Sequence, residues 1–85
     1  MKLDKSNPLM CEGIIGDGCG GGRIFFIKEN QVFAHDPIAN ADMELFKIIN
    51  MPKKLTKKEC ILYLKYDKYC IEFDLSTMQQ RTINF

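Results

Sequence analysis

No apolar stretch in this chain approaches the ~18 residues that a membrane-crossing helix needs, and the opening "MKLDKSNPLM" holds no apolar run long enough for a signal-peptide core. The sequence therefore leads us to expect a cytoplasmic protein with no membrane partner. Charge of one sign is also missing. Lys and Arg number 12 against 11 for Asp and Glu, so neither nucleic acid nor an anionic surface attracts the chain as a whole. An electrostatic partner has to be met by a local patch. Catalytic signatures are lacking too: there is no H-E-x-x-H, no G-x-S-x-G and no paired carboxylates in an identifiable cleft. We expect no enzyme, no catalytic residue and no cofactor.

Close cysteine pairs are absent as well. Cys11, Cys19, Cys60 and Cys70 are spaced C-x7-C and C-x9-C, whereas structural zinc sites usually draw on pairs such as C-x2-C. No metal site is expected. In a reducing compartment the four thiols stay free, and oxidation would let Cys11 and Cys19 close a loop. Cys60 reads as a small core residue. Cys19, exposed among glycines, is a candidate nucleophile with His35, the only histidine, as its base. No helix begins at Cys19 to lower its pKa, and no third group is identifiable to orient the imidazole.

What the chain does have is "GIIGDGCGGGRIFF", residues 13–26, whose centre matches the letters G-x-G-x-x-G. A dinucleotide site requires that loop to open a helix, but "RIFFIK" follows and reads as a strand. No P-loop lysine is present, so no nucleotide cofactor is expected. Besides a loop that orders only on a partner, two readings remain. Consecutive amides of Gly20, Gly21 and Gly22, with Arg23 alongside, form an anion-binding nest; or the loop is a flexible connection whose missing side chains let another backbone approach.

The segment "CILYLKYDKYCIEFDL", residues 60–75, sorts with period two about a turn at Asp67-Lys68. Cys60, Leu62, Leu64, Ile71, Phe73 and Leu75 share the core face of a hairpin, and Cys70 lies on the other face. A second hairpin, "RIFFIKENQVFAHDP", turns at Glu29-Asn30 and sets Arg23 opposite Asp36, Phe25 opposite Ala34 and Ile27 opposite Val32. Glu suits a left-handed turn position poorly, which leaves a three-residue loop including Gln31 as the alternative. The two hairpins, 23–36 and 60–75, resemble each other and raise the question of an internal ββ repeat. Their strand-turn-strand-Asp cadence is similar to that of propeller blades, although two units cannot close a propeller.

Between them, Met43, Leu45, Phe46 and Ile49 recur at helical spacing behind Asn40 or Asp42 as cap, with Pro52 as the stop. The expected fold is α+β: one domain, 1–85, with an antiparallel sheet of four to five strands built from two hairpins and one helix packed on a face. "LMCEGII" reads as a strand, "KKLTKK" as a lysine-rich connection, and "TMQQRTINF" as an edge strand or a frayed tail.

Ile24, Phe26, Phe33, Ile61 and Tyr63 give more apolar sheet than one helix covers. The reading is a non-catalytic protein-interaction or regulatory module whose partner is another protein or a second copy, as in a homodimer. The alternative is nucleic-acid binding, with Lys53, Lys54, Lys57, Lys58 and Lys65 on phosphates and Tyr63 stacking on a base.

Overall fold

The structure, a computed structural model, describes residues 2–85. Eight strands follow one another: Met10–Glu12 (β1), Ile24–Lys28 (β2), Gln31–Asp36 (β3), Ala41–Lys47 (β4), Lys54–Lys58 (β5), Ile61–Lys65 (β6), Tyr69–Asp74 (β7) and Gln79–Asn84 (β8). They form two four-stranded antiparallel meanders in the orders β1-β2-β3-β4 and β5-β6-β7-β8. No helix occurs among the described residues, and thus none that is long and apolar enough to cross a membrane. The expected α+β fold, with its single sheet of four to five strands, is therefore corrected to an all-β pair of sheets.

Residues 40–51 were expected to be the helix, and a bulge explains why they imitated one. Strand β4 pairs with β3 through Met43↔Ala34, Glu44↔Phe33 and Phe46↔Val32, and Leu45 is the extra residue at a register shift between Val32 and Phe33. Met43 and Phe46 thereby fall on one face although three positions apart, which is also a helical interval. Asn40 does not cap a helix: with φ 50° it closes the β3–β4 turn, in which the Asp36 carboxylate accepts the amide of Ile38 at 2.9 Å. The expected Arg23–Asp36 pair does not form; Asp36 is occupied by its own turn.

Both hairpins have the registers read from the sequence, Phe25↔Ala34 and Ile27↔Val32 in one and Leu62↔Phe73 and Leu64↔Ile71 in the other. The first uses the two-residue turn, with Glu29 at φ 53° and Asn30 at φ 60°. Both "KKLTKK" and the tail are strands. In β5, Leu55 and Lys57 point inward and Lys54, Thr56 and Lys58 outward, an alternation hidden by the number of lysines.

The sheets pack face to face. Phe25, Val32 and Ala34 from the first meet Leu55, Leu62, Leu64 and Phe73 from the second in one buried cluster, and the rings of Phe46 and Phe73 stack with centroids 4.2 Å apart. Strand β1 lies beside β5, where the Leu55 amide donates to the Pro8 carbonyl at 2.8 Å. Each large buried side chain contributes roughly 1.5–3 kcal/mol.

The two sheets are built alike. Asp74 repeats the turn of Asp36, its carboxylate accepting the Ser76 amide at 2.8 Å, and Met78, at φ 60°, stands where Asn40 does. Asp36 and Asp74, Asn40 and Met78, and the starts of β4 and β8 lie 38 positions apart. The ladder pairs Ile24↔His35 and Leu62↔Phe73 carry the same interval back to β2 and β6, although β6 begins 37 positions after β2. Residues 24–36 thus match 62–74 with no difference in length.

The β2–β3 turn generates a prediction. Two non-glycine residues at positive φ strain a turn that prefers Asn-Gly, so Glu29→Asn with Asn30→Gly should stabilise the protein by about 0.5–1 kcal/mol. Urea unfolding of the double variant measures this, and a midpoint at or below that of the parent would contradict it.

Candidate functional site

The glycine loop between β1 and β2 folds on itself. Gly13 donates its amide to the Arg23 carbonyl at 2.8 Å, Gly22 donates to Gly13 at 2.9 Å and Arg23 to Gly20 at 3.1 Å. Gly22's amide is thus engaged within the loop, whereas the nest read from the sequence needed it together with those of Gly20 and Gly21. Gly20 is required sterically: its φ is 69°, and a Cβ there would lie 2.7 Å from Cζ of the buried Phe25.

Two bonds fasten the loop to the β5–β6 turn. Cys19 is joined to Cys60 in a disulfide, with Cα atoms 4.7 Å apart, and an Asp17 carboxylate oxygen accepts the Glu59 amide at 2.9 Å. The reading of Cys60 as a free core residue is corrected, as is the Cys11–Cys19 pairing. Cys19 in this bond offers no thiolate. His35 is buried on the outer face of the first sheet, its Nδ1 2.7 Å from Asp42 Oδ1, and the ring does not meet Cys19. Among the described residues no three His, Cys, Asp or Glu gather as metal ligands do.

Arg23 makes no side-chain hydrogen bond or ion pair among the described residues. It borders a cavity of about 200 Å³ between the sheets, shared with Cys19, Gly20, Phe25, Met43 and Met78. The structure therefore keeps Gly20 and Arg23 together at one opening.

The lysines divide. Lys54, Lys58 and Lys65 stand with Tyr63 on the outer face of the second sheet, where Lys54 is directly opposite Lys65 and Thr56 opposite Tyr63. Like charges in direct opposition destabilise a ladder unless another charge answers them. Lys53 lies outside the strand and pairs with Asp67. Lys57 is on the inner face with its side chain 1% exposed, 3.8 Å from Asp17 Oδ2, and its Nζ makes no hydrogen bond. Nothing in the lysine count signalled that inward turn; the alternation with Leu55 was the available clue. Cys11 also packs against the core, and burial pushes its thiol up to about 11, with Lys57 pulling the other way.

The outer face of the second sheet continues through Glu72, which accepts from Arg81 Nη2 at 2.8 Å. The hydrogen bond that Arg81 donates to Glu72 holds the Arg81 pKa above its ordinary value. A hollow of about 340 Å³ bordered by Ile61, Glu72, Asp74, Gln79 and Arg81 opens there. The first sheet's outer face carries Met10, Ile24, Phe26, Phe33 and His35 with Glu12, Asp42 and Glu44. Ile24 and Phe26 are only 6% and 8% exposed, so the apolar surplus read from the sequence is smaller than expected.

These contacts predict the outcome of three substitutions. Cys19→Ser, or reduction of the bond that spans 41 positions, should cost about 3–4 kcal/mol in the chain-entropy description, read as a fall in the urea midpoint; an unchanged midpoint would contradict the pinning of the loop. Removing the buried ammonium, which has an ion-pair contact to Asp17 but no hydrogen bond, by Lys57→Met should raise stability by about 1–3 kcal/mol, the cost of an unsatisfied buried donor. Asp17→Asn should lower stability, and the same melts give both signs. In comparisons with family models, with curated proteins and with solved structures, this chain finds no match.

Proposed function

We propose that the chain is a non-catalytic protein-interaction module that works through the outer faces of its sheets. The observation that carries this reading is the use of one face of each sheet in the core, which leaves a second face on each turned outward. Those faces combine half-buried apolar side chains, Phe33, Ile61 and Tyr63, with charges in unequal number. On the first sheet Glu12, Asp42 and Glu44 outnumber Lys28 and Lys47; on the second Lys54, Lys58, Lys65 and Arg81 outnumber Glu72 and Asp74. Unbalanced faces of opposite sign favour docking to a charged partner over lasting solvation.

Nucleic-acid binding is the second reading, favoured by one observation: Lys54, Lys58 and Lys65 surround Tyr63 on a single face. Lys53 and Lys57, paired and buried respectively, do not join them. The disulfide bears on the compartment, because it suits oxidising surroundings and opposes the cytoplasmic expectation. A maleimide count on natively purified protein decides between the two.

Retention on a single-stranded DNA column separates the two functional readings. We expect elution at low salt that is unaffected by Lys54→Gln, Lys58→Gln and Lys65→Gln together. Retention that falls steeply with salt and is lost in the triple variant would overturn the protein-interaction reading.

A further inference from the structure

We propose that copies of this chain stack head to tail, the outer face of sheet β5–β8 on the outer face of sheet β1–β4 of the next copy, and that the stack closes into a ring. The proposal rests on the interaction reading above and names its partner.

The two sheets correspond residue by residue at an interval of 38 positions. Inside one chain the contact joins Phe25, Val32 and Ala34 to Leu55, Leu62, Leu64 and Phe73. The residues that match Leu62, Leu64 and Phe73 in the first sheet are Ile24, Phe26 and His35. The ladder pairing of Met10 with Phe26 and of Leu55 with Leu64 makes Met10 the match of Leu55. All four lie on the first sheet's outer face.

The converse also holds. Phe25, Val32 and Ala34 match Tyr63, Cys70 and Glu72, which lie on the second sheet's outer face. Each chain therefore contains one complete sheet-to-sheet contact and carries, at opposite ends of its two-layer stack, the residues that correspond to the two halves of a second one. Of these, Ile24, Phe26, His35 and Cys70 are already only 5–8% exposed in the single chain, which leaves Met10, Tyr63 and Glu72 and the flanking charges to meet a further sheet.

A contact between unlike faces cannot be satisfied by a simple self-complementary pairing of one patch. It repeats from copy to copy and either closes or runs on as a filament. The sheets meet along β1 and β5, which places those strands toward the centre of a radial arrangement and β4 and β8 at its rim. Radial arrangements of four-stranded sheets close with about four to eight of them, which at two sheets per chain means two to four copies.

Charge agrees with this direction. By its ladder position Glu12 matches Lys57, and Cys11 matches Thr56. Within the chain β1 lies against β5, with Cys11 and Lys57 both turned into the layer between the sheets. The same relation brings Glu12 of one copy against Thr56 of the next, where Lys54 and Lys58 flank it on the same strand. The excess of acid on one face and of base on the other is then neutralised in the joint.

Sedimentation of the disulfide-intact protein at low salt tests the proposal. We expect a discrete species of two, three or four copies that weakens as salt rises. Glu12→Lys with Glu44→Lys on one face, or Lys54→Glu with Lys58→Glu on the other, should each weaken association by at least about tenfold per reversed charge. An equimolar mixture of the two variants should associate again, into species of two or four copies in which the variants alternate and each reversed face meets its reversed complement. All four positions are exposed, and circular dichroism checks that each variant folds.

A carbodiimide cross-link between Glu12 of one copy and Lys54 or Lys58 of another, recognised in isotope-mixed protein, gives the same answer without any variant. A wild-type chain that stays monomeric at every soluble concentration overturns the proposal. So does association that only one of the two reversals weakens, which would indicate a pairing of like faces and leave the interaction reading standing. Failure of the interaction reading itself appears separately, as salt-steep DNA retention.

Discussion

Everything in this protein depends on the burial of Leu62, Leu64 and Phe73 against Phe25, Val32 and Ala34. A four-stranded meander on its own has two wet faces and too little apolar contact to hold its order. Pressing one face of each together gives a dry layer in which Leu62, Leu64 and Val32 are at 0% exposure. A chain of 85 residues has little core to spare, and the disulfide across the glycine loop reinforces the same layer at its edge. Lys57 works against it, since an ammonium held inside without a hydrogen bond opposes the burial around it. The nearby carboxylate of Asp17, on the disulfide-bonded loop, partly compensates.

The hairpins were legible because two signals agreed in them, alternation along the strands and turn residues at the right spacing. Leu62 opposite Phe73 follows from the letters alone, whereas Phe25 opposite Ala34 follows only once the structure selects the two-residue turn over the loop that includes Gln31. Strand β4 was not legible, because its bulge places Met43 and Phe46 three residues apart on one face and so copies a helical interval. Strand β5 was hidden by composition: four lysines around one leucine look like a solvated connection until a partner strand supplies the register. The disulfide escaped because Cys19 and Cys60 meet only through tertiary packing, in a loop and a turn 41 positions apart. Of the candidate site residues, Gly20 and Arg23 border one cavity while the Gly22 amide is engaged within the loop, and Lys54, Lys58, Lys65 and Tyr63 share a face. Lys53 and Lys57 leave that group because strand direction and strand end decide where a side chain points.

Asp36 and Asp74 show how one local device produces the symmetry of the whole. Each carboxylate accepts the amide two residues on and so reverses the chain at the same point of each sheet, into β4 and into β8. Because Asp74 is tied to the Ser76 hydroxyl and amide, its carboxyl is held below its ordinary value. The turn therefore keeps its form as pH falls to the usual carboxylate range, and loses this support only as pH drops through the depressed value. Two identical reversals give two sheets of the same hand, and sheets of the same hand stack with unlike faces in contact.

The Cys19–Cys60 bond also changes how the chain would bear a load. Tension applied at the two ends passes from Cys19 across the sulfurs to Cys60 and skips the backbone between them. Strands β2, β3, β4 and β5 lie within that bypassed loop. A stretched chain would give up β1 and the β6–β8 segment while roughly 140 Å of contour, at about 3.4 Å per residue, stayed slack and hidden from the force. Cutting the sulfur bond would release that length in one step, so the mechanical reach of this small protein is set by its redox surroundings.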